Sequence, residues 1–314
     1  MRILFAGTGD IGIPSLRYLS ANHELVGILT QPDRPAGRHR DLKSPAIKEE
    51  ACRIAPGIPL LQPESPRLPE VLPWMEERRP EVMVTMAYGR ILPLEILELP
   101  PLACLNIHAS LLPRHRGASP IQSVIASGER ESGISIMYMA EGLDTGDVLL
   151  ERRLLLNRRE TAGSLSGRLA ELAALSLAGS LDLLALGVAP RIPQDHALAT
   201  VCGKITRDQC LIDWSLPASV LERKIRSLQP KPAAFTSLKL ESGETLFFKI
   251  HSSILARRSC GEPGSLLRAD DRGMLVACGE GSLLLGRIQP EGRGIMHSSA
   301  FLRGRRLQIG TLLG

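Results

Sequence analysis

Short apolar runs alternate with helical patterns through the first half of the chain. Residues 2–6, 24–29, 82–86, 103–107 and 133–139 are hydrophobic stretches of strand length, as expected of strands buried on both faces. Residues 14–20, 43–54 and 67–77 lie between them and read as helices, with prolines near their ends. Strands alternating with helices predict a parallel sheet covered on both faces, a Rossmann-like α/β domain. Residues 165–186, rich in Leu and Ala, predict one long helix that stops at Gly187, with Pro190 and Pro193 close behind. Residues 187–206 read as an extended connector. One helix follows at 219–227, then short strands broken by glycine at 245–250, 273–278 and 282–289. That second pattern suits a small, OB-like β-barrel. The expected division is therefore 1–189 for the α/β domain, 190–206 for a linker and 207–314 for the barrel.

Composition narrows the function classes. The chain has 314 residues, 44% of them hydrophobic, enough for two soluble cores. No apolar run reaches the length of a membrane span, and the chain enters a strand-like run directly after Met1. A cytoplasmic protein without a membrane partner is expected. The six cysteines form no C-x-x-C pair and the seven histidines no ligand cluster, so reduced thiols and no metal are expected. No helical pattern carries a sustained heptad seam, which predicts a monomer. The net charge of +5 is unevenly placed: residues 207–314 carry +6 and residues 1–206 carry −1. A basic C-terminal third points to a polyanion such as RNA. Arg223, Lys224, Arg226, Lys231, Arg303, Arg305 and Arg306 are the candidate contacts. Aromatic residues make up only 3% of the chain, so base stacking has few platforms and binding should be electrostatic and salt-sensitive.

Two segments carry candidate chemistry. Gly7-Thr8-Gly9-Asp10-Ile11-Gly12 matches G-x-G-x-x-G after a strand, with Asp33 about twenty residues on. However, Thr30-Gln31-Pro32 separates Asp33 from the second strand, and the glycines read as a tight strand-to-helix turn. Asn106 and His108 are two apart at the end of a predicted strand, so their side chains point to one side. Gly142 and Gly146 permit a sharp loop that aims Asp144 back at His108. An amide can hold an oxyanion, an imidazole can carry a proton, and a carboxylate can orient the imidazole. With no metal cluster and no evident nucleophile, the set suits direct acyl transfer between nitrogens. Residue types alone leave open a dinucleotide oxidoreductase, a non-catalytic RNA-binding protein and other amine acceptors.

The run NIHASLLPRHRGASPIQ at 106–122, followed by GLDTGD at 142–147, resembles the signature of the 10-formyltetrahydrofolate-dependent formyltransferases. The resemblance implies Asn106, His108 and Asp144 as the catalytic set. It implies the loop Ser110, Leu111, Leu112 and Pro113 against the folate, and the 87–93 loop, with Arg90 and Leu92, beside the pterin. Residues 30–38 resemble the inserted loop of the members that formylate initiator methionyl-tRNA, and 204–206 with 212–215 resemble the start of their C-terminal domain. This implies formyl transfer from 10-formyltetrahydrofolate to initiator methionyl-tRNA, with Arg38, Arg40 and Lys43 on tRNA phosphates. The chain departs from the family in placing Asp41 among those bases, in the 230–235 turn, and in Gly9 where a proline is common.

Overall fold

The computed structural model describes residues 1–36, 41–239, 243–256, 261–305 and 307–314. It divides into two compact units. The first comprises Met1–Pro120, Glu131–Leu155 and Ser166–Gly203; the second comprises Ile121–Arg130, Leu156–Leu165 and Lys204–Gly314.

The first unit is built on β1 (Arg2–Gly7), α1 (Ile13–Asn22), β2 (Glu24–Leu29), β3 (Arg34–Ala36), β4 (Asp41–Lys43), α2 (Ala46–Ile54) and β5 (Leu60–Leu61). It continues with α3 (Val71–Arg78), β6 (Val82–Met86), α4 (Leu94–Leu97), β7 (Ala103–His108) and β8 (Arg116–Gly117). After α5 (Pro120–Ser127), which falls almost wholly in the second unit, come β9 (Glu131–Tyr138), β10 (Val148–Leu155), α6 (Ala162–Ala185), whose first four residues also belong to the second unit, and β11 (Val201–Cys202). Seven strands form one sheet in the order β10-β9-β7-β6-β1-β2-β5. Its middle is parallel, and the continuous apolar runs explain why: all five residues of β6 are buried, as are Ile3 to Ala6 of β1.

The structure corrects the all-parallel expectation at one edge. β9 runs antiparallel to β7, and β10 antiparallel to β9. The nine-residue connection 139–147 is too short for a parallel crossover, which needs a dozen residues or more. The sequence reading also began the second helix at residue 43. Lys43 instead belongs to β4, and the helix starts after Pro45, whose extended ψ of 145° places it outside the first turn.

Helices α1 and α2 are joined by a buried carboxylate. Glu50 accepts from Arg17 Nε at 2.6 Å and from Arg53 Nη2 at 2.5 Å. The Arg53 hydrogen bond, with Arg17 beside it, holds the Glu50 carboxyl at about 2 against an ordinary 4.5. The folded value lies below the unfolded one, so this stabilisation is full above the unfolded value and vanishes as pH falls through the folded one. In urea unfolding, the stability gap between wild type and Glu50→Gln should be full near neutrality and shrink between pH about 4.5 and about 2. An equal gap at neutral and acid pH would show that the ionised pair contributes nothing.

The second unit contains α7 (Ala218–Ser227), β12 (Ala234–Lys239), β13 (Thr245–Ile250), β14 (Ser253–Ala256) and β15 (Leu266–Asp270). β16 (Gly273–Ala277), β17 (Ser282–Leu285), β18 (Arg287–Pro290), β19 (Met296–His297) and α8 (Ser298–Gly304) complete it. The strands form two antiparallel sheets, β12-β13-β18-β19 and β14-β17-β16-β15. Trp214, Leu221, Ile225, Phe248, Leu285 and Phe301 are among the buried side chains of its core. The strand expected over 282–289 breaks at Gly286 and changes sheets there. A Cβ on Gly286 would lie 2.7 Å from Ser252 Oγ, at the matching corner between β13 and β14. Among the described residues, no helix is long and apolar enough to cross a membrane.

Candidate active site

Parallel pairing brings the carboxyl ends of β6 and β7 together, with Thr85 paired to Asn106. On the other side of β7, Asn106 pairs with Met137 and His108 with Ser135 of β9. The connection from β9 to β10 then returns Asp144 to this edge. Asn106 Nδ2 donates to Asp144 Oδ1 at 3.3 Å, and His108 Nδ1 lies 3.6 Å from Asp144 Oδ2. The three side chains singled out from the sequence therefore meet. Their mutual arrangement differs from the expected one in a chemically important way. The direct partner of His108 is not the carboxylate: Nε2 donates to the His115 carbonyl at 2.9 Å. This bond fixes the ring and leaves Nδ1 as the nitrogen facing Asp144. The carboxylate is anchored elsewhere, with Oδ2 accepting from the Gly117 amide at 2.8 Å.

Residues the sequence did not flag complete the site. Thr85 Oγ1 donates to Asn106 Oδ1 at 2.8 Å, which turns the amide so that its N–H₂ faces Asp144. Gln194 Nε2 donates to the Asp144 and Gly146 carbonyls at 2.9 and 2.7 Å. Asp144 itself adopts φ +51°, a left-handed conformation that a short polar side chain tolerates better than most. His115, at φ +58°, makes the second left-handed turn. Both outliers sit where the chain must present a group to the site.

Ser110 to Pro113 form a loop fastened to β9. Ser110 Oγ donates to the Arg114 carbonyl at 2.7 Å. Ser135 Oγ donates to the Ser110 carbonyl at 2.8 Å and accepts from Leu112 N at 3.1 Å. Ser110 and Leu112 are buried, while Leu111 and Pro113 are partly exposed. In the other loop considered for a ligand, Arg90 is exposed. Leu92 is buried in the apolar cluster with Val71, Met75, Tyr88 and Ile96. Burial pushes the neighbouring Tyr88 hydroxyl up to about 12.

Lys43 is exposed at the end of the β3–β4 pair; Arg38 and Arg40 lie outside the described residues. In the second unit Lys224 donates to the Leu211 carbonyl, Arg226 pairs with Glu222 at 2.6 Å, and Lys231 and Arg303 are exposed; Arg306 is outside the described residues. The first glycines behave as a packed turn. A Cβ on Gly7 would meet Phe5 Cε1 at 2.7 Å, and one on Gly12 would meet Ile47 Cδ1 at 3.2 Å. Asp33 is bonded to Gln62 and Lys48, at 2.8 and 2.7 Å, and these donors hold its carboxyl below the usual range. Among the described residues, no group of three or more His, Cys, Asp or Glu side chains has the geometry to hold a metal.

Comparison with known proteins extends over the whole chain. Residues 1–178 match the formyl transferase family, and residues 204–306 match the formyl transferase C-terminal domain. The chain is 42% identical over 317 residues to a methionyl-tRNA formyltransferase of Methylacidiphilum infernorum, covering 100% of this chain and 98% of that one. Two solved structures share the fold at lower identity. An N-formyltransferase from Helicobacter canadensis, complexed with folinic acid and dTDP-3-aminofucose, superposes with a TM-score of 0.66 at 17% identity, over 92% of this chain and 99% of that one. HypX from Aquifex aeolicus, complexed with tetrahydrofolic acid, gives a TM-score of 0.64 at 18% identity; the match covers 96% of this chain but only 47% of HypX, about half of that protein. On the strength of its full-length identity and both domain matches, the chain belongs to the methionyl-tRNA formyltransferase family.

Proposed function

We propose that the chain transfers a formyl group from 10-formyltetrahydrofolate to the α-amine of methionine esterified to initiator tRNA. The observation that carries this reading is the meeting of Asn106, His108 and Asp144 at the carboxyl edge of the sheet. Ligands of open α/β sheets bind at that edge. The neutral amine attacks the formyl carbon. The Asn106 N–H₂, turned toward the reacting edge by Thr85, stabilises the oxyanion. One proton leaves the attacking nitrogen and one reaches N10 as the C–N10 bond breaks, giving the formylated amine and tetrahydrofolate. His108 Nδ1, the ring nitrogen not held by the His115 carbonyl, carries the proton, with Asp144 beside it balancing the charge.

The Ser110 to Pro113 loop and the chain around Arg90 border the folate, with Leu92 supporting from the core. Arg38, Arg40 and Lys43 contact acceptor-arm phosphates, and the +6 charge of residues 207–314 holds the tRNA behind them. The test is formylation of methionyl initiator tRNA with 10-formyltetrahydrofolate as donor. Transfer should require the esterified methionine, and KM for tRNA should rise with salt while KM for the donor stays nearly constant. Transfer to an aminosugar nucleotide, with none to charged tRNA, would overturn the reading.

A further inference from the structure

Residues 190–203 follow α6 as a segment without a repeating pattern, interrupted by one 3-10 turn at His196–Leu198, yet they clasp both loops of the candidate site. Ile192 and Val148 exchange backbone hydrogen bonds at 2.8 and 3.0 Å. The Arg191 guanidinium lies 3.7 Å from the centre of the Tyr138 ring, at the end of β9. Gln194 then reaches under the Asp144 loop. Its Nε2 donates to the carbonyls of Asp144 and Gly146, and its Oε1 accepts from Arg116 Nε and Nη2 at 3.1 and 2.7 Å. Gln194 and Arg116 are 8% and 7% exposed, so these bonds compete little with water. Further on, Thr200 Oγ1 accepts from His115 N, and its carbonyl accepts from Arg116 N, both at 2.8 Å. His115 is the residue whose carbonyl holds His108. Gly117, whose amide holds Asp144, packs so closely on this segment that a Cβ would lie 2.3 Å from the Cys202 carbonyl oxygen.

We propose that Gln194 and Thr200 are positioning residues: Gln194 sets the Asp144 carboxylate by gripping its loop, and Thr200 sets His108 through the His115 turn. The proposal rests on the reading of Asp144 and His108 as the reacting groups. The alternative is a purely structural strap, in which the same bonds stabilise the domain without acting through either side chain. Charge chemistry makes the two separable. Gln194→Glu keeps an oxygen for Arg116 but replaces the amide donor by an acceptor facing two carbonyls. Thr200→Val keeps the shape and removes the acceptor.

The test is a pair of double-mutant cycles on turnover in the full-length enzyme. Gln194→Glu should lower kcat about tenfold, with KM for both substrates nearly unchanged. In an Asp144→Asn background the same substitution should cost almost nothing, because the group it positions is already gone. Thr200→Val should behave likewise against His108→Ala, and it decides the matter alone if Gln194→Glu does not fold. Losses that add in full across both cycles would overturn the proposal and leave a structural strap. Wild-type turnover by Asp144→Asn and His108→Ala themselves would instead overturn the underlying site reading, an outcome visible in the single variants.

Discussion

Asp144→Asn is expected to lower turnover by a factor on the order of 10³ while leaving folding and tRNA affinity intact. The substitution isolates charge from shape. Asparagine tolerates left-handed backbone better than most residues, so the φ of +51° at this position carries little added strain. Its amide oxygen can still accept from the Gly117 amide, which now bonds Asp144 Oδ2 at 2.8 Å. What disappears is the negative charge 3.6 Å from His108 Nδ1 and an ionised partner for Asn106 Nδ2. Both losses fall at a site whose His108 is only 5% exposed, where water compensates poorly. Alanine would be a poorer probe, because it also removes both hydrogen bonds and tolerates the left-handed turn less well. The measurements are single-turnover formylation, KM for charged tRNA and the thermal midpoint. Turnover within about threefold of wild type, in a protein with an unchanged midpoint, would remove Asp144 from the chemistry.

The parts of this site that were legible in the sequence are those with a local signature. The apolar run ending in Asn106-Ile107-His108 declares a strand, and the two-residue spacing puts amide and imidazole on one side. Asp144 was visible only as a carboxylate between two glycines. Nothing in a sequence encodes its distance from a histidine thirty-six positions earlier except resemblance to a family. The supporting groups leave still less trace. Thr85 and Ser135 are single hydroxyls inside buried strands, with the look of ordinary core residues. Gln194 lies in a proline-rich stretch without periodicity, and its partners are 48 to 78 residues away. The antiparallel edge was missed because Glu151-Arg152-Arg153 interrupts the apolar pattern of β10.

Gly146→Ala should combine a loss of stability of about 2–3 kcal/mol with a fall in turnover, whereas Gly142→Ala, in the same loop, should cost distinctly less in both. Conformation is not the cause at Gly146; the cause is proximity. A Cβ there would lie 1.9 Å from the Tyr138 carbonyl oxygen, and neither backbone can rotate away. Relief requires separating residues 138 and 146, which weakens the hydrogen bond from Tyr138 N to the Asp147 carbonyl at 2.9 Å. The same displacement shifts the Gly146 carbonyl off Gln194 and carries Asp144 away from Asn106 and His108. At Gly142 the three nearest atoms, 2.4, 3.0 and 3.2 Å from the added carbon, all belong to the Thr145 side chain rather than to backbone, and the exposed turn at 141–143 can shift to relieve them without separating two strands. Urea unfolding and turnover measured on both variants separate the two kinds of contact. If Gly146→Ala matched Gly142→Ala in both, the Tyr138–Asp147 junction would be soft, and Asp144 would not depend on it for its position.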